Sequence, residues 1–514
     1  MKKFIQRTLL AILFFVSAPL MAQTEVFTKP PTAQNPANPQ TNALAGFEAE
    51  WSVAVDIRRL VANKTARERF TLKLADGTRV VLQRANFQPV EGFIPLGETD
   101  IVPNPDVPDS ELSYSWYGQA GPQWLQFTVH KGTISATLSN FNKRFTVGLD
   151  RSSKLVFRRF DPSKFPGDFD QIAVREKHSP ITDTGFQFGK PNRSPRLKPE
   201  PRFASVNLPA ASAFAKQHRT IDVLVMYTQR SLNSLGGQAA LDARIAESFD
   251  QMNQAMLNSG VGSVSLRQVA PSSQSRLLNY DEFNFTPLNP ACTLQPQEAC
   301  DWVSHRMWLR TNGTATGNQV KLARDEAKAD LVVMMLSQPN KFGITGVAYI
   351  QKFDCANFVT GGEPVTGCDR GLAYRDFAFS AVSIELSTSN IVFAHEVGHQ
   401  LGMEHNQERA GANPTYSFSF GYYDCSAFRQ TIMSKASIFE CPTTPFQQLQ
   451  FSNPFVPFIG TTVPSGDCEA YNALTGELLS RDTTELFSPS NPLADWDFAS
   501  GFDELINNAP PLCQ

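Results

Sequence analysis

The sequence predicts an α/β domain with a mixed sheet and long helices, preceded by a small all-β domain. Two patterns lead to this prediction. After residue 219, long apolar strands alternate with stretches of helical spacing, which is typical of layered α/β sheets. Before residue 178, short segments of alternating polar and apolar residues recur between turn signals, which is typical of antiparallel sheets. With 514 residues, the chain has room for both domains.

Residues 1–22 have the pattern of a secretory signal peptide. Lys2 and Lys3 precede an apolar run over residues 9–16, and small residues end at Ala22. A membrane anchor is the alternative, but the apolar run is too short to span a bilayer. The pattern predicts cleavage near Ala22, a secreted (extracellular) or periplasmic protein, and no membrane partner once the signal is removed.

Residues 23–177 contain the predicted all-β region, which begins with a flexible lead over 23–45 that is rich in Pro, Asn, Gln and Thr. The alternating segments run from residue 47 to about residue 166. Residues 178–218 are rich in Pro and basic residues, which predicts an exposed linker suited to proteolytic processing. A plain spacer is the alternative interpretation of this linker.

The predicted α/β domain spans residues 219–470, and an acidic extension follows over 471–514. The expected strands are Ile221 to Tyr227, Asp330 to Leu336, Gly346 to Ile350 and Phe379 to Leu386, the third of them at a sheet edge. The core stripe of a long helix is expected at Leu241, Ile245, Phe249, Met252 and Met256.

The stretch from His395 to His405 has the spacing of a catalytic zinc site. His395 and His399 lie four residues apart, so a helix places both imidazoles on one face, with Glu396 beside them. Gly402 is expected to end the helix, and the turn brings His405 round as a third ligand. The alternative is a buried helix that carries histidines by chance, but three of the chain's seven His fall within this stretch.

Three protein ligands leave a fourth position for water, which distinguishes a catalytic zinc from a structural one. Glu396 is then the predicted general base, which takes a proton from the zinc-bound water and passes it to the leaving group. Ser387, Thr388 and Ser389 are the predicted N-caps of the helix. One Zn2+ is expected, and the sequence does not indicate structural Ca2+.

The pattern His-Glu-x-x-His-x-x-Gly-x-x-His resembles that of the metzincin zinc peptidases, which also have a methionine turn beneath the metal. Residues 431–434 (Thr-Ile-Met-Ser) fit that turn, with Met433 as its methionine. Residues 220–228, the zinc helix, the methionine turn and residues 451–454 follow the order seen in bacterial reprolysin-like secreted proteases, notably the peptidyl-Asp metalloendopeptidase family. The resemblance covers about residues 219–470.

This resemblance implies a metzincin-type fold and a secreted zinc endopeptidase that is made as a precursor, or zymogen, and acts on protein or peptide substrates. It implies that the edge strand, with Gly346, Val347 and Ala348, binds extended substrate backbone by β-augmentation. It favours a pro-region as the role of the all-β region, with a binding module as the alternative. A monomer is expected.

Two positions depart from the family pattern. Asn406 stands where reprolysin-like enzymes usually have Asp after the third His. Met433 is followed by Ser434 and Lys435, so the tyrosine that some metzincins add as a zinc ligand is absent. The expected site is therefore three histidines and water.

All eight cysteines lie in the second half of the chain, and an even count in an exported protein predicts disulfides. A cysteine-based zinc site is the alternative, but no Cys-x-x-Cys pair occurs. The spacing suggests sequential pairing of Cys292 with Cys300, Cys355 with Cys368, Cys425 with Cys441, and Cys468 with Cys513.

Charge changes sign along the chain. Residues 23–218 contain 25 Lys and Arg against 19 Asp and Glu, a net of +6, and residues 219–514 contain 18 against 30, a net of −12. Because residues 1–291 have no Cys to silence a zinc ion, the pro-region is expected to inhibit by covering the cleft, helped by this charge difference. A carboxylate or His178 would replace the water. The second half has no basic cluster with interleaved aromatics, which argues against nucleic acid.

Two other functions fit parts of the pattern. The first is a catalytically inactive secreted binding or adhesion protein, but such a protein needs no base at Glu396. The second is a zinc esterase or amidase, but the edge strand after Gly346 suits an extended peptide.

His305 is expected to be structural. Tyr422 and Tyr423 could line the cleft or stabilise an oxyanion, although packing is favoured.

Overall fold

The computed structural model describes two regions of the chain with gaps in each. Predictions for the signal, the linker, the C-terminal extension and three of the four cysteine pairs lie outside the described residues. These residues are 47–52, 58, 68–73, 79–89, 93–96, 100–141, 143–149, 154–160, 219–261, 264–282, 305, 314–337, 345–349, 359–360, 363–364, 378–406, 420–436, 440–453, 456–463 and 465.

The first region contains an eight-stranded antiparallel sheet in the order β1-β10-β9-β8-β7-β6-β3-β2. Its strands are β1 (Phe47–Ser52), β2 (Arg69–Lys73), β3 (Arg79–Pro89), β6 (Tyr114–Ala120), β7 (Gln123–His130), β8 (Thr133–Asn140), β9 (Lys143–Leu149) and β10 (Leu155–Phe160). A separate hairpin joins β4 (Phe93–Leu96) to β5 (Asp100–Pro103), and a short 3-10 helix spans Asp109–Glu111. We call the eight-stranded sheet the N-terminal sheet.

The second region is built on a mixed sheet in the order β12-β11-β14-β18-β15, with β13 paired to β11. All neighbours are parallel except β15, which runs antiparallel to β18. The strands are β11 (Arg219–Thr228), β12 (Val264–Val269), β13 (Leu277–Leu278), β14 (Leu331–Leu336), β15 (Gly346–Ala348) and β18 (Phe379–Ser383). Small sheets are formed by β16 (Val359–Thr360) with β17 (Glu363–Pro364), and by β19 (Tyr423–Asp424), β20 (Arg429–Gln430) and β21 (Phe446–Gln447).

Among the described residues of this region, the helices are α1 (Gln229–Ser234), α2 (Gln238–Asn258), α3 (Ala315–Ala327) and α4 (Val392–Gln400). Alternate residues of the central strands face opposite layers, as the two-residue period of a strand requires. Val223 and Val333 share a core with α2 and α4, whereas Leu224 and Val332 share one with α3. The predicted mixed sheet with long helices is therefore confirmed.

The predicted elements agree with the structure in most places. The apolar stripe expected on α2 is buried along its whole length. The strand expected from Phe379 to Leu386 is shorter, because it ends at Ser383 and a turn over residues 384–390 leads into α4. Within the described ranges, no helix has the length and apolar character needed to cross a membrane.

The N-terminal sheet packs against α2. Tyr117, Trp124 and Phe160 of the sheet belong to the same apolar core as α2 and α4. Polar contacts cross this interface as well, since the Ser135 hydroxyl donates to Glu247 and the Thr128 hydroxyl donates to Asp250. The sheet is thus joined to the second region through a buried interface.

Ionisable groups in this interface have displaced pKa values. Burial raises the pKa of Asp250 to about 7, although the hydrogen bond from Thr128 opposes the shift. Burial also raises the pKa of Glu247, while the nearby Arg244 guanidinium, 3.9 Å away, works against the shift. The interface therefore favours protonated carboxyls.

Asp250→Asn should remove part of the pH dependence of stability. Between pH 4 and pH 7 the unfolded chain loses the Asp250 proton while the folded chain keeps it, so the free energy of unfolding falls as pH rises. Relative to the parent chain, the Asn variant should gain about 1–2 kcal/mol between pH 5 and pH 8, less than the full shift implies because the side chain is only partly buried. Denaturant unfolding at both pH values tests this. The same slope with pH in both chains would contradict it.

Candidate metal centre

Helix α4 begins without a side-chain cap. The residue before it, Ile391, has a left-handed conformation with a φ of 56°. The predicted N-caps are wrong, because their hydroxyls serve the preceding turn instead: Ser387 donates to the Ile384 carbonyl and Ser389 to the Glu385 carbonyl. Thr388 bonds to the Arg244 guanidinium from α2. The turn is therefore fixed by tertiary contacts before the helix starts.

The helix places its two histidines on one face and then stops where the sequence predicts. His395 and His399 are both buried, and α4 ends at Gln400. Gly402 has a φ of 92°, a conformation that glycine adopts at little cost. The reversed chain brings His405, also buried, against the first two rings.

The three imidazoles aim one nitrogen each at a common point. His405 Nε2 lies 3.1 Å from His395 Nε2 and 3.2 Å from His399 Nε2. Among the described His, Cys, Asp and Glu residues, these three histidines form the cluster with ligand atoms close enough to share a metal ion, all within 4.8 Å of one another. The structure thus brings together the three histidines that the sequence predicts as ligands.

Hydrogen bonds at the opposite ring nitrogens determine which nitrogen is free. His395 Nδ1 lies 2.9 Å from the Ile432 carbonyl oxygen, and His399 Nδ1 lies 2.8 Å from the Met403 carbonyl oxygen. A carbonyl can only accept, so Nδ1 carries the proton in both rings. In a neutral ring Nε2 then presents a lone pair, which is the form that binds a metal.

The third ring is oriented by a carboxylate. Glu404 Oε1 lies 3.3 Å from His405 Nδ1 and accepts the backbone N–H of His405 at 3.0 Å. Glu404 is fully buried. A carboxylate behind a ligand histidine fixes the ring and raises its basicity. Glu404 is not among the site residues predicted from the sequence, although its position directly before a ligand was a visible signal.

The donor set fits zinc. Nitrogens bound to tetrahedral zinc at 2.0–2.1 Å lie about 3.3 Å apart, close to the spacing of the Nε2 atoms here. Three converging lone pairs repel one another unless a cation lies between them. Burial, followed by the charge of Lys435, lowers the pKa of His395 well below its usual value, which keeps the ring neutral.

The predicted base lies next to this cluster and under the edge strand. Glu396 is buried, and its side chain touches Gly346 of β15: a Cβ at Gly346 would come within 2.6 Å of Glu396 Oε1. Glycine is therefore required there for close approach. In the described part of the mixed sheet β15 is the outer strand, as predicted, with Val347 and Ala348 paired to β18. Substrate binding by these residues stays a prediction.

The methionine turn lies against the zinc helix. Met433 is buried, and its sulfur packs on Gly398 so closely that a Cβ there would meet it at 2.6 Å. The predicted bond between Cys425 and Cys441 is confirmed, and it encloses the turn in a loop with a sequence separation of 16. Closing a loop of this size removes about 3 kcal/mol of unfolded-chain entropy.

Asn406 connects the two halves of the site. Its Oδ1 accepts the backbone N–H of Lys435 at 2.9 Å, which joins the residue after the third His to the end of the methionine turn. The side chains of Asn and Asp both have an oxygen that can accept a hydrogen bond. Asn406 can therefore make this bond although the family pattern usually has Asp at the position.

The remaining candidates lie where packing explains them. Tyr422 stacks on Phe458, with ring centroids 6.0 Å apart. His305 is buried, and its Nδ1 lies 2.6 Å from the Tyr280 hydroxyl, which agrees with a structural role. Tyr423 lies in β19, paired with Gln430.

Comparison with known proteins identifies relatives of the second region. Residues 217–464 match the model of the family described as Metallo-peptidase family M12B Reprolysin-like. A peptidyl-Asp metalloendopeptidase from Pseudomonas aeruginosa is 25% identical over 232 residues, which cover 43% of this chain and 32% of that protein. The match thus spans about a third of that relative's length.

A second relative matches a longer stretch. A peptidyl-Asp metalloendopeptidase from Xanthomonas campestris pv. campestris is 23% identical over 365 residues, which cover 68% of this chain and 70% of that protein. Among solved structures, metalloproteinase-II from Bacteroides fragilis has a TM-score of 0.29 and 12% identity, covering 67% of this chain and 83% of that one. A TM-score this low carries no inference about fold.

Gly346→Ala should lower hydrolytic turnover while leaving metal content unchanged. The new methyl group displaces the Glu396 carboxylate, and a misplacement of about 1 Å costs on the order of 100-fold in rate. Peptide hydrolysis measured beside zinc content by metal analysis tests this. Leu322→Ala, at an exposed position of α3, is the control. Undiminished turnover in Gly346→Ala would contradict the contact as a constraint on Glu396.

Proposed function

We propose that this chain is a zinc-dependent endopeptidase, because residues 217–464 match the model described as Metallo-peptidase family M12B Reprolysin-like. The observation that carries the proposal is the convergence of His395, His399 and His405 Nε2 beside the buried carboxylate of Glu396. Three ligands and an adjacent base are the components of hydrolytic zinc chemistry.

The roles of the residues follow from their positions. Zinc held by the three imidazoles would lower the pKa of a water molecule and polarise the scissile carbonyl. Glu396 is placed to act as the general base, which would take a proton from the attacking water and pass it to the leaving amine. Ile432, Met403 and Glu404 keep the ligand rings in the tautomer that leaves Nε2 free. Met433 supports the helix from below.

The substrate is a protein or peptide that binds along β15. Gly346, Val347 and Ala348 lie at the outer strand of the described sheet, directly above Glu396, so an extended backbone paired with them would pass close to the base. The alternative of a catalytically inactive binding protein is disfavoured, because such a protein has no use for a buried carboxylate at Glu396.

The proposal includes export and a precursor form. Residues 1–22 act as a signal peptide, residues 23–177 as a pro-region, 178–218 as a processed linker and 471–514 as an extension, and the chain acts outside the cell or in the periplasm as a monomer. The charge difference between the halves supports association of the pro-region with the peptidase. The contacts described for the N-terminal sheet reach α2, the turn before α4 and β21, and none of them involves Glu396, so inhibition over the cleft would depend on other residues of the pro-region.

An acidic substrate side chain is proposed next to the cleaved bond. Both relatives carry the name peptidyl-Asp metalloendopeptidase, and an Asp side chain calls for a nearby cation. Lys435 meets this need, because it is partly buried, its N–H is held by Asn406, and its charge acts on His395.

Glu396→Gln should keep zinc and lose turnover, because the substitution removes the base and none of the ligands. Peptide hydrolysis is expected to fall by more than about 100-fold, within the range found for general bases. Metal analysis tests whether the variant keeps zinc, and digestion of a denatured protein substrate tests whether it loses turnover. His399→Ala, which removes a ligand, is the matched control and should lose the metal. Peptide cleavage by Glu396→Gln at the parental rate would refute the mechanism.

Lys435→Met should change which bonds are cut. Without the cation, the preference for Asp beside the cleavage site should weaken, whereas Lys435→Arg should retain it. Sequencing of new termini by mass spectrometry, after digestion of a denatured protein mixture, reads the preference directly. An unaltered set of termini with Lys435→Met would assign the preference to another residue.

A further inference from the structure

A side chain of the N-terminal sheet reaches the start of the zinc helix. Arg144 lies in β9 and is only 4% exposed. Its Nη1 donates to the Ser389 carbonyl oxygen at 2.9 Å and to Asn390 Oδ1 at 3.2 Å, and its Nη2 donates to Gln447 Oε1 at 2.6 Å. One guanidinium therefore connects three segments that are distant in sequence.

The described contacts of Arg144 orient its neighbours and do not neutralise its charge. All three described acceptors are neutral oxygens. Burial lowers the pKa of Arg144 to about 10, so the group is still protonated at neutral pH. A buried cation is costly unless its donors are satisfied, so each acceptor is constrained to the fixed fork geometry of the guanidinium.

One branch of these contacts leads to a zinc ligand. Gln447 accepts from Arg144 and donates through Nε2 to the Ile432 carbonyl oxygen at 3.0 Å. The same carbonyl oxygen accepts the Nδ1–H of His395 at 2.9 Å. Arg144 therefore orients Gln447, which places the acceptor that fixes the ring of His395.

The other branch holds the entry to the helix. Ser389 and Asn390 immediately precede Ile391, whose left-handed backbone sets the direction in which α4 leaves the turn. A non-glycine residue in this conformation is unfavourable and persists only where its surroundings hold it. Arg144 supplies two of the hydrogen bonds that do so.

A neighbouring aromatic contact reinforces the same junction. Phe141, at the turn between β8 and β9, packs edge-on against Phe446, with ring centroids 5.5 Å apart. Phe446 directly precedes Gln447 in β21. The hairpin of the N-terminal sheet thus contacts β21 through both an aromatic pair and the Arg144 bond.

We propose that Arg144 is a positioning residue for the metal centre, so that the N-terminal sheet supports the zinc site in addition to forming part of the proposed pro-region. This inference rests on the proposed function, since it assumes that the three histidines bind zinc. It also requires the sheet to stay bound through its buried interface with α2 if the linker is cut.

Variants of the full chain separate this role from a purely structural one. Arg144→Met removes both branches, and Gln447→Glu keeps an acceptor for Arg144 but removes the N–H that reaches Ile432. Arg144→Lys keeps the charge without the fork. Lys143→Ala is the matched control, because it removes an exposed cation from the adjacent position. Zinc affinity by competition with a chromophoric chelator, kcat and KM on a peptide, and thermal unfolding of the metal-free chain are the measurements.

Arg144→Met and Gln447→Glu should lower zinc affinity by about 10–100-fold, as loss of an outer partner of a ligand histidine does. Arg144→Lys should recover part of that affinity, and Lys143→Ala should match the parent. A kcat that falls with an unchanged KM is expected in the first two variants. Parental zinc affinity in a folded Arg144→Met chain, whatever its melting temperature, would overturn the inference.

Two further outcomes are decisive. If Arg144→Met does not fold, Gln447→Glu alone decides, because its side chain is only partly buried and its bond to Arg144 is retained. Parental zinc affinity in that variant would reject the relay. If the parent chain itself binds no zinc, the proposed function fails, which is distinct from failure of the role of Arg144.

Discussion

The site depends on where one proton sits in each of three imidazole rings. A neutral imidazole has one N–H and one lone pair, and an acceptor at Nδ1 turns the lone pair at Nε2 toward the metal. Here the acceptors are the Ile432 carbonyl, the Met403 carbonyl and the Glu404 carboxylate. Ile432 belongs to the methionine turn, whereas Met403 and Glu404 are neighbours in the loop that follows the zinc helix. The fold must therefore hold this loop and the methionine turn in register with the helix before a metal can bind.

Each of those segments is fixed by contacts further from the metal. Met433 seats the methionine turn against Gly398, and the bond between Cys425 and Cys441 limits the loop that carries it. Asn406 joins the ligand loop to the same turn. The edge strand closes the arrangement from above, because Gly346 leaves just enough space for the Glu396 carboxylate. The base and the ligands are thus positioned by backbone geometry as much as by side chains.

Local rules account for what the sequence could predict. The four-residue spacing of His395 and His399, the glycine at Gly402 and the stripe along α2 are properties of a single helix or turn, and each is confirmed. The predicted N-caps of α4 are wrong because tertiary contacts, among them one from Arg244, determine the conformation of the turn before the helix. Arg144 lies 245 residues from Ser389, and no local pattern relates two such positions.

The interface between the N-terminal sheet and α2 explains how a contact such as that of Arg144 with Ser389 can form between residues far apart in sequence. Burial of apolar surface is non-directional, so it does not by itself select one register of the sheet on the helix. Glu247 and Asp250 receive hydroxyl donors from the sheet, and buried polar atoms lose these bonds entirely when the register changes. These buried polar contacts therefore favour a single orientation of the sheet on α2, although burying the ionisable groups costs free energy. That single orientation places the guanidinium of Arg144 at the start of the zinc helix, so the metal centre depends on polar contacts between the N-terminal sheet and α2.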